Sequence, residues 1–306
     1  VFAPSIRSAL ALILVPCLAS AQDVAPVVTT APRSFDLRAA PARAVGDRTR
    51  ERLLLAQTGV IVTKFDKEAS SVDRLDHDLE FDVLEEVLAL APTGEPERVL
   101  RTYERVRSGK RESSFSDRPL LLTRKPSGRE ALSRPDGAAF DERATRQLEG
   151  FREAERAQSQ PALDAVVPRL PVAIGDRWTL SPDGVAALVA LFDMRLLDPA
   201  QVGPEEVLAA EGTLTAVEQK DGLDLLHVDV SLRLSIKDLD EWTFDPPAEF
   251  VISVRYVTAA AASPLRSLTF EASFKGTASL GETGMQVSRD LRLVGDRRVE
   301  AVERGE

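Results

Sequence analysis

Cysteine is all but missing from this sequence. Cys17 is the only one among 306 residues, so a disulfide framework and thiol chemistry have almost nothing to work with. Histidine is nearly as scarce: His77 and His227 would have to carry any imidazole catalysis. Aromatic residues make up 5% of the chain, so a core must be built mainly from Leu, Val and Ala. Basic charge is not in excess either: 39 Lys and Arg face 49 Asp and Glu, a formal charge of −10 with both signs intermixed. That balance favours solubility and argues against a nucleic-acid surface, which needs a basic patch. Catalytic templates are also wanting. There is no His-Glu-x-x-His zinc motif and no Gly-x-Ser-x-Gly nucleophile elbow. Ser108-Gly109-Lys110 lacks the upstream glycine and the trailing hydroxyl of a phosphate loop. Neither a metal nor a cofactor is expected.

What is present begins at the N-terminus. Arg7 precedes an apolar run from Ala9 to Leu18, followed by Ala19-Ser20-Ala21. A basic start, a short apolar centre and small residues before a cut site describe a secretory signal over residues 1–21, removed after Ala21. The run is too short to span a bilayer, and no later run approaches that length. Cys17 leaves with the signal, and Pro16 stands where a lipidation site would carry a small residue. The mature chain is therefore expected to be exported, periplasmic or extracellular, without a transmembrane segment.

Residues 22–43 are rich in Ala, Pro and Thr and read as an extended tether. A first β-rich domain follows over 44–160, with strands expected near 48–62, 79–90, 97–107, 119–123 and 129–133. In the second of these Leu79, Phe81 and Val83 alternate with Glu80 and Asp82. A helical spacing competes there, because Leu75, Leu79, Val83 and Val87 lie four apart. Ala91-Pro92-Thr93-Gly94 and Pro126-Ser127-Gly128 are turn chemistry. A helix is expected from Ala138 to Ala157, with Phe140, Ala144, Leu148 and Phe151 as its apolar stripe. Three prolines between Pro161 and Pro171 read as a linker. The second β-rich domain, 161–306, carries the clearest helix, 182–197: Ser181 is an N-cap, Pro182 suits the first turn and Asp183 its positive end.

The most regular stretch is Glu211 to Lys237. From Leu226 to Ile236 every second residue is apolar, and His227, Asp229, Ser231, Arg233 and Ser235 lie between them. This is a long strand with one dry and one wet face, which points to antiparallel pairing. Asp221-Gly222 before it is a hairpin turn. Further strands are expected at 250–257, 267–275, 285–294 and 298–302. Gly-Asp-Arg after Val or Ile occurs at 45–48, 174–177 and 294–297; it fits either two similar halves or plain turn chemistry before a strand.

Candidate chemistry is thin. Asp73, Asp76, His77 and Asp78 resemble a cation site in composition, but on a strand His77 points away from Asp76 and Asp78, so a solvated face is expected. Asp229 and His227 could form a general base, yet no nucleophile can be assigned to them. Asp238, Asp240, Glu241 and Asp245 lie beside Trp242 and Pro246-Pro247, which reads as a loop between strands. Trp178 and Trp242 are expected to pack at sheet ends.

The fold expected is α+β: mainly antiparallel sheet, curved or half-barrel, with covering helices 138–157 and 182–197 and two similar halves as one reading. Helix over half-barrel resembles the bacterial carriers that shelter lipid or lipoprotein acyl chains. The strands, Gly175-Asp176-Arg177-Trp178 and the Asp-Gly hairpin are also similar to exported bacterial β-rich proteins of unassigned function. The carrier resemblance implies an apolar ligand, which would be lined by Val185, Leu188, Phe192, Val228 and Val230. An envelope protein as partner, bound by a module with a solid core, is the second expectation; a hydrolase is the third.

Overall fold

The computed structural model describes residues 33–37, 43–65, 69–112, 118–124, 130–138, 140, 142, 145, 148, 164–191, 202–220, 222–239, 242–259, 263–280 and 285–302. The chain divides into two compact units, Val1–Pro32 and Arg33–Glu306. The expected signal, most of the tether and Phe192 lie outside the described residues.

The unit Arg33–Glu306 is built on one antiparallel sheet. Its strands are β2 (Arg48–Phe65), β3 (Ala69–Leu90), β4 (Pro96–Ser108), β5 (Arg111–Glu112), β6 (Arg118–Arg124), β7 (Glu130–Ser133), β9 (Arg177–Thr179), β10 (Val207–Lys220), β11 (Leu223–Leu239), β12 (Trp242–Ala259), β13 (Ser263–Leu280) and β14 (Met285–Ala301). The order is β7-β6-β4-β3-β2-β14-β13-β12-β11-β10-β9, with β5 beside β4. A separate pair joins β1 (Ser34–Phe35) to β8 (Val172–Ala173). Neighbours in this order are consecutive in sequence except at β4–β6, which skips β5, and at one seam, where β14 pairs β2 from Thr49↔Ala301 to Lys64↔Gln286.

Alternation explains the register. Leu226, Val228, Val230, Leu232, Leu234 and Ile236 are buried, and opposite them lie Phe250, Ile252, Val254 and Tyr256 of β12. Phe270, Ala272 and Phe274 of β13 extend the same face. A slip of one residue would turn this whole set to solvent. A turn through Gly222, at φ 76°, closes β10 onto β11, with Lys220 opposite Leu223.

Two stretches read as turn or loop are strand instead. Gly295-Asp296-Arg297 runs through the middle of β14, because Phe270 lies directly across from Gly295 and its ring fills the space a side chain would take. Strand β12 starts at Trp242, not near Phe250; Pro246 and Pro247 sit in a ladder irregularity between Phe244 and Glu249. Proline has no N–H to donate, so it interrupts the pairing without ending the strand. Residues 72–78, where the helical spacing competed, belong to β3.

The other two Gly-Asp-Arg copies are turns of the same build. Asp47 N donates to Ala44 O and its carboxylate accepts from Ala44 N; Asp176 does the same with Ala173. Gly46 and Gly175 sit at φ 89° and 88°, a conformation glycine adopts without strain. Each turn docks on a strand through two backbone bonds, the first to Val87 and the second to Leu214.

Helical cover is smaller than expected. The one helix described throughout is α1 (Pro182–Leu191), about 15 Å long at 1.5 Å per residue. Ser181 caps it, accepting from Gly184 N at 3.1 Å. Leu188, Val189, Val166 and Val167 bury against β10–β14 in the larger core. The smaller core holds Leu53, Phe81, Val83, Tyr103 and Leu120 with Leu148, one of three helical residues described within 138–157. The expected tether and linker also contribute: Phe35, Leu37, Val166 and Val167 are buried. Trp178 pins the last of these segments, donating from Nε1 to Val166 O at 2.8 Å.

Trp178 lies directly across from Gly212, and a Cβ there would come within 2.2 Å of its indole. Gly212→Ala is therefore expected to lose about 1–3 kcal/mol through overpacking, read as a lower urea midpoint at unchanged slope. An unchanged midpoint would mean that the ring and residues 164–167 move aside freely.

Candidate functional site

The sheet's wet face is laced with ion pairs. Arg255 binds Asp229 (2.9 Å), Arg292 binds Glu271 (2.8 Å), and Arg52 and Arg105 bind Asp82 and Glu80. Such exposed pairs contribute about 0–1 kcal/mol each and keep the face solvated. They also settle the histidine candidate. Asp229 is held by Arg255, while His227 Nε2 lies 3.4 Å from Glu218 Oε2. The two residues weighed as a general base are each engaged elsewhere. His77 projects from β3 to the opposite face from Asp76 and Asp78. Among the described residues no group of three or more His, Cys, Asp or Glu is placed to hold a metal.

The acids at 73–78 line a sheet edge. Strand β4 pairs β3 only from Leu79 to Leu90, so among the described residues Ala69–His77 has β2 on one side and no strand on the other. Asp73, Arg74 and Asp76 guard this edge against pairing with a foreign strand, the usual role of charge there.

A mainly apolar hollow of about 560 Å³ opens where α1 meets the sheet edge. Val185 and Ala186 line it from the helix, Leu180 and Pro204 from the connections, and Val207 and Leu208 from β10. Local sequence builds it. β9 pairs β10 only at 211–213, and among the described residues no strand pairs β10 on that side nearer its start. There Leu180 N donates to Ala210 O at 3.0 Å, and the chain then turns into α1. Leu208 is 59% exposed and lines the hollow from the sheet side. The volume lies in the range of small-molecule sites.

Of the residues expected to line a ligand, Val185 faces this hollow. Leu188, Val228 and Val230 are in the larger core, with Leu188 packed between helix and sheet. Phe192 is outside the described residues. Leu208 and Pro204 were missed. The available signal was an apolar pair, Val207-Leu208, directly after a Gly-Pro turn.

The dry face also carries charge. Glu85, Arg101, Glu51, Arg297 and Arg289 all lie on it by register. Arg101 Nε donates to Glu85 Oε2 at 2.9 Å, and Arg43 Nη1 to Oε1 at 3.4 Å. Arg297 Nη2 donates to Glu51 Oε2 at 3.0 Å. Burial pushes the Glu85 carboxyl up, while Arg101, Arg43 and Arg297 pull it down; the net direction is below the ordinary carboxylate value.

No family model matches this sequence, and no curated protein matches it. Among solved structures the fold is similar to lipovitellin, in a structure concerned with its lipid–protein interactions, with a TM-score of 0.36 and 8% identity. That match covers 86% of this chain but only 26% of lipovitellin's. It is also similar to a LolA-superfamily protein of Nitrosomonas europaea, with a TM-score of 0.15 and 9% identity over 87% of this chain and 92% of that one. The architecture thus has the weak resemblance to lipid-carrier folds expected from the sequence, and at these scores it carries no argument about what this chain binds.

Proposed function

We propose that this chain is a non-enzymatic binding protein of the bacterial envelope, exported through its N-terminal signal, that holds an apolar ligand such as a lipid. The ligand lies in the hollow between α1 and the start of β10. One observation carries the reading: Leu208, Val207 and Val185 form an open apolar recess of about 560 Å³ at a sheet edge. Apolar surface left open costs free energy unless something covers it.

Protein recovered from the exported compartment is expected to show a reproducible mass excess by native mass spectrometry. The excess disappears on denaturation and is recovered as lipid by organic extraction. Leu208→Asp, at an exposed position, is expected to remove the part of the excess held in this hollow while shifting stability by less than about 0.5 kcal/mol. A bare polypeptide mass for the unsubstituted protein, together with no uptake of added lipid, would remove the proposal. The edge Ala69–His77 favours a second reading, an interaction module for an envelope protein; capture of a strand there would leave the Leu208 hollow unaffected.

A further inference from the structure

Arg289 differs from the four paired dry-face charges. Among the described residues its guanidinium has no hydrogen bond and no ion pair, whereas Glu85, Arg101, Glu51 and Arg297 are all paired. It stands between Val287 and Leu291 on β14, which are both buried. Across from it are Gly276 on one side and Ile61 on the other. Phe244 leans over Gly276, where a Cβ would come within 2.9 Å of its ring. The nearest acid in that cross-strand row is Asp73, one strand beyond Ile61 and exposed. Desolvation lowers the pKa of Arg289, the mark of a cation held among apolar groups without a counter-charge.

The surroundings are half covered. Ile61, Leu75 and Leu293 are only partly buried against the larger core, and Phe65, on the same face at the hairpin end, is 49% exposed. An apolar strip therefore runs past a single unpaired cation. A desolvated charge without a partner is costly, and a bidentate acid is the partner a guanidinium fits best. A small hydrated anion would cover the charge and leave the strip wet. An acyl chain alone would cover the strip and leave the charge. A membrane surface calls for several exposed basic residues, and the strip offers one.

We propose that Arg289 seats the acidic head of a single-chain amphiphile, a fatty acid in the simplest case, whose chain lies along Ile61, Leu75 and Leu293. The site is separate from the hollow beside α1, so either assignment can fail alone.

Calorimetry on the full chain with oleate and with oleyl alcohol tests it. Oleate is expected to bind more tightly than the alcohol. Arg289→Gln is expected to weaken oleate at least about tenfold, with the alcohol unchanged, and Arg289→Lys to keep most of the affinity. Equal oleate affinity in Arg289→Gln and the unsubstituted chain overturns the proposal, as does no oleate binding at all. Leu208→Asp separates the two sites: loss of oleate in that variant, with Arg289→Gln unaffected, moves oleate to the hollow and overturns the assignment to Arg289. Capture of both the unsubstituted chain and Arg289→Gln by phosphatidylglycerol vesicles, with no uptake of monomeric oleate, overturns it in favour of a membrane.

Discussion

Arg101→Met is expected to lose about 3–5 kcal/mol of folding stability. Arg101 is 9% exposed and Glu85, its direct cross-strand neighbour, has a side chain 19% exposed. The pair sits on the dry face beside Leu120 and Tyr103. Removing the guanidinium leaves a carboxylate in apolar surroundings with Arg43 at 3.4 Å and the more distant Arg297 to compensate. Glu85→Leu with Arg101→Met removes both charges and is expected to recover most of the loss, because two matched apolar groups need no desolvation offset. The pH dependence follows from the direction of the Glu85 shift. Its folded pKa lies below the unfolded one, so its contribution is complete above the unfolded carboxylate value, about 4.3, and is lost as pH falls through the folded value. Urea titrations between pH 3 and 7 should show this acid limb in the unsubstituted chain and a shallower one in Arg101→Met. Identical limbs would show that Glu85 does not depend on Arg101.

Phe274→Ala is expected to cost about 3–5 kcal/mol. Phe274 is fully buried in β13, edge-on to Phe244 at 5.8 Å between centroids and tilted against Phe250 at 6.2 Å. In a chain this poor in aromatics the three rings are a large share of the aromatic packing in the core. The space they leave cannot close easily, because Gly276 and Ala248 already bring backbones together there. Thermal unfolding followed by circular dichroism would measure the loss. A cost under about 1 kcal/mol would mean that Phe244 and Phe250 collapse into the vacated volume.

The architecture was legible wherever one face is wet. Leu226 to Ile236 alternates cleanly because its polar partners meet solvent, and β11 buries that apolar set throughout the stretch. β3 was ambiguous because apolar residues two apart include pairs four apart, so Leu75, Leu79, Val83 and Val87 satisfy both periods. β12 was shortened by Pro246-Pro247, since an irregular ladder and a loop leave the same residues in sequence. Strand order was not legible at all. Without it Val228 and Val230 could not be recognised as belonging to a filled core, nor β10 as a strand that β9 pairs only at 211–213. The dry-face charges were hidden for a related reason. Arg101 and Arg289 look like surface arginines until the register puts them on the buried side.

The β2–β14 seam has a consequence in time. Glu51 and Arg297, whose ion pair crosses it, are 246 residues apart in sequence. At about 5–20 residues per second, synthesis delivers β14 roughly 10–50 s after β2. Throughout that interval β2 has an open edge where β14 will pair, and Leu55, Ile61 and Leu75 lack the larger core they pack against. The middle of the finished sheet is thus its latest junction, and until it zips the edge of β2 stays open to pairing with a foreign strand.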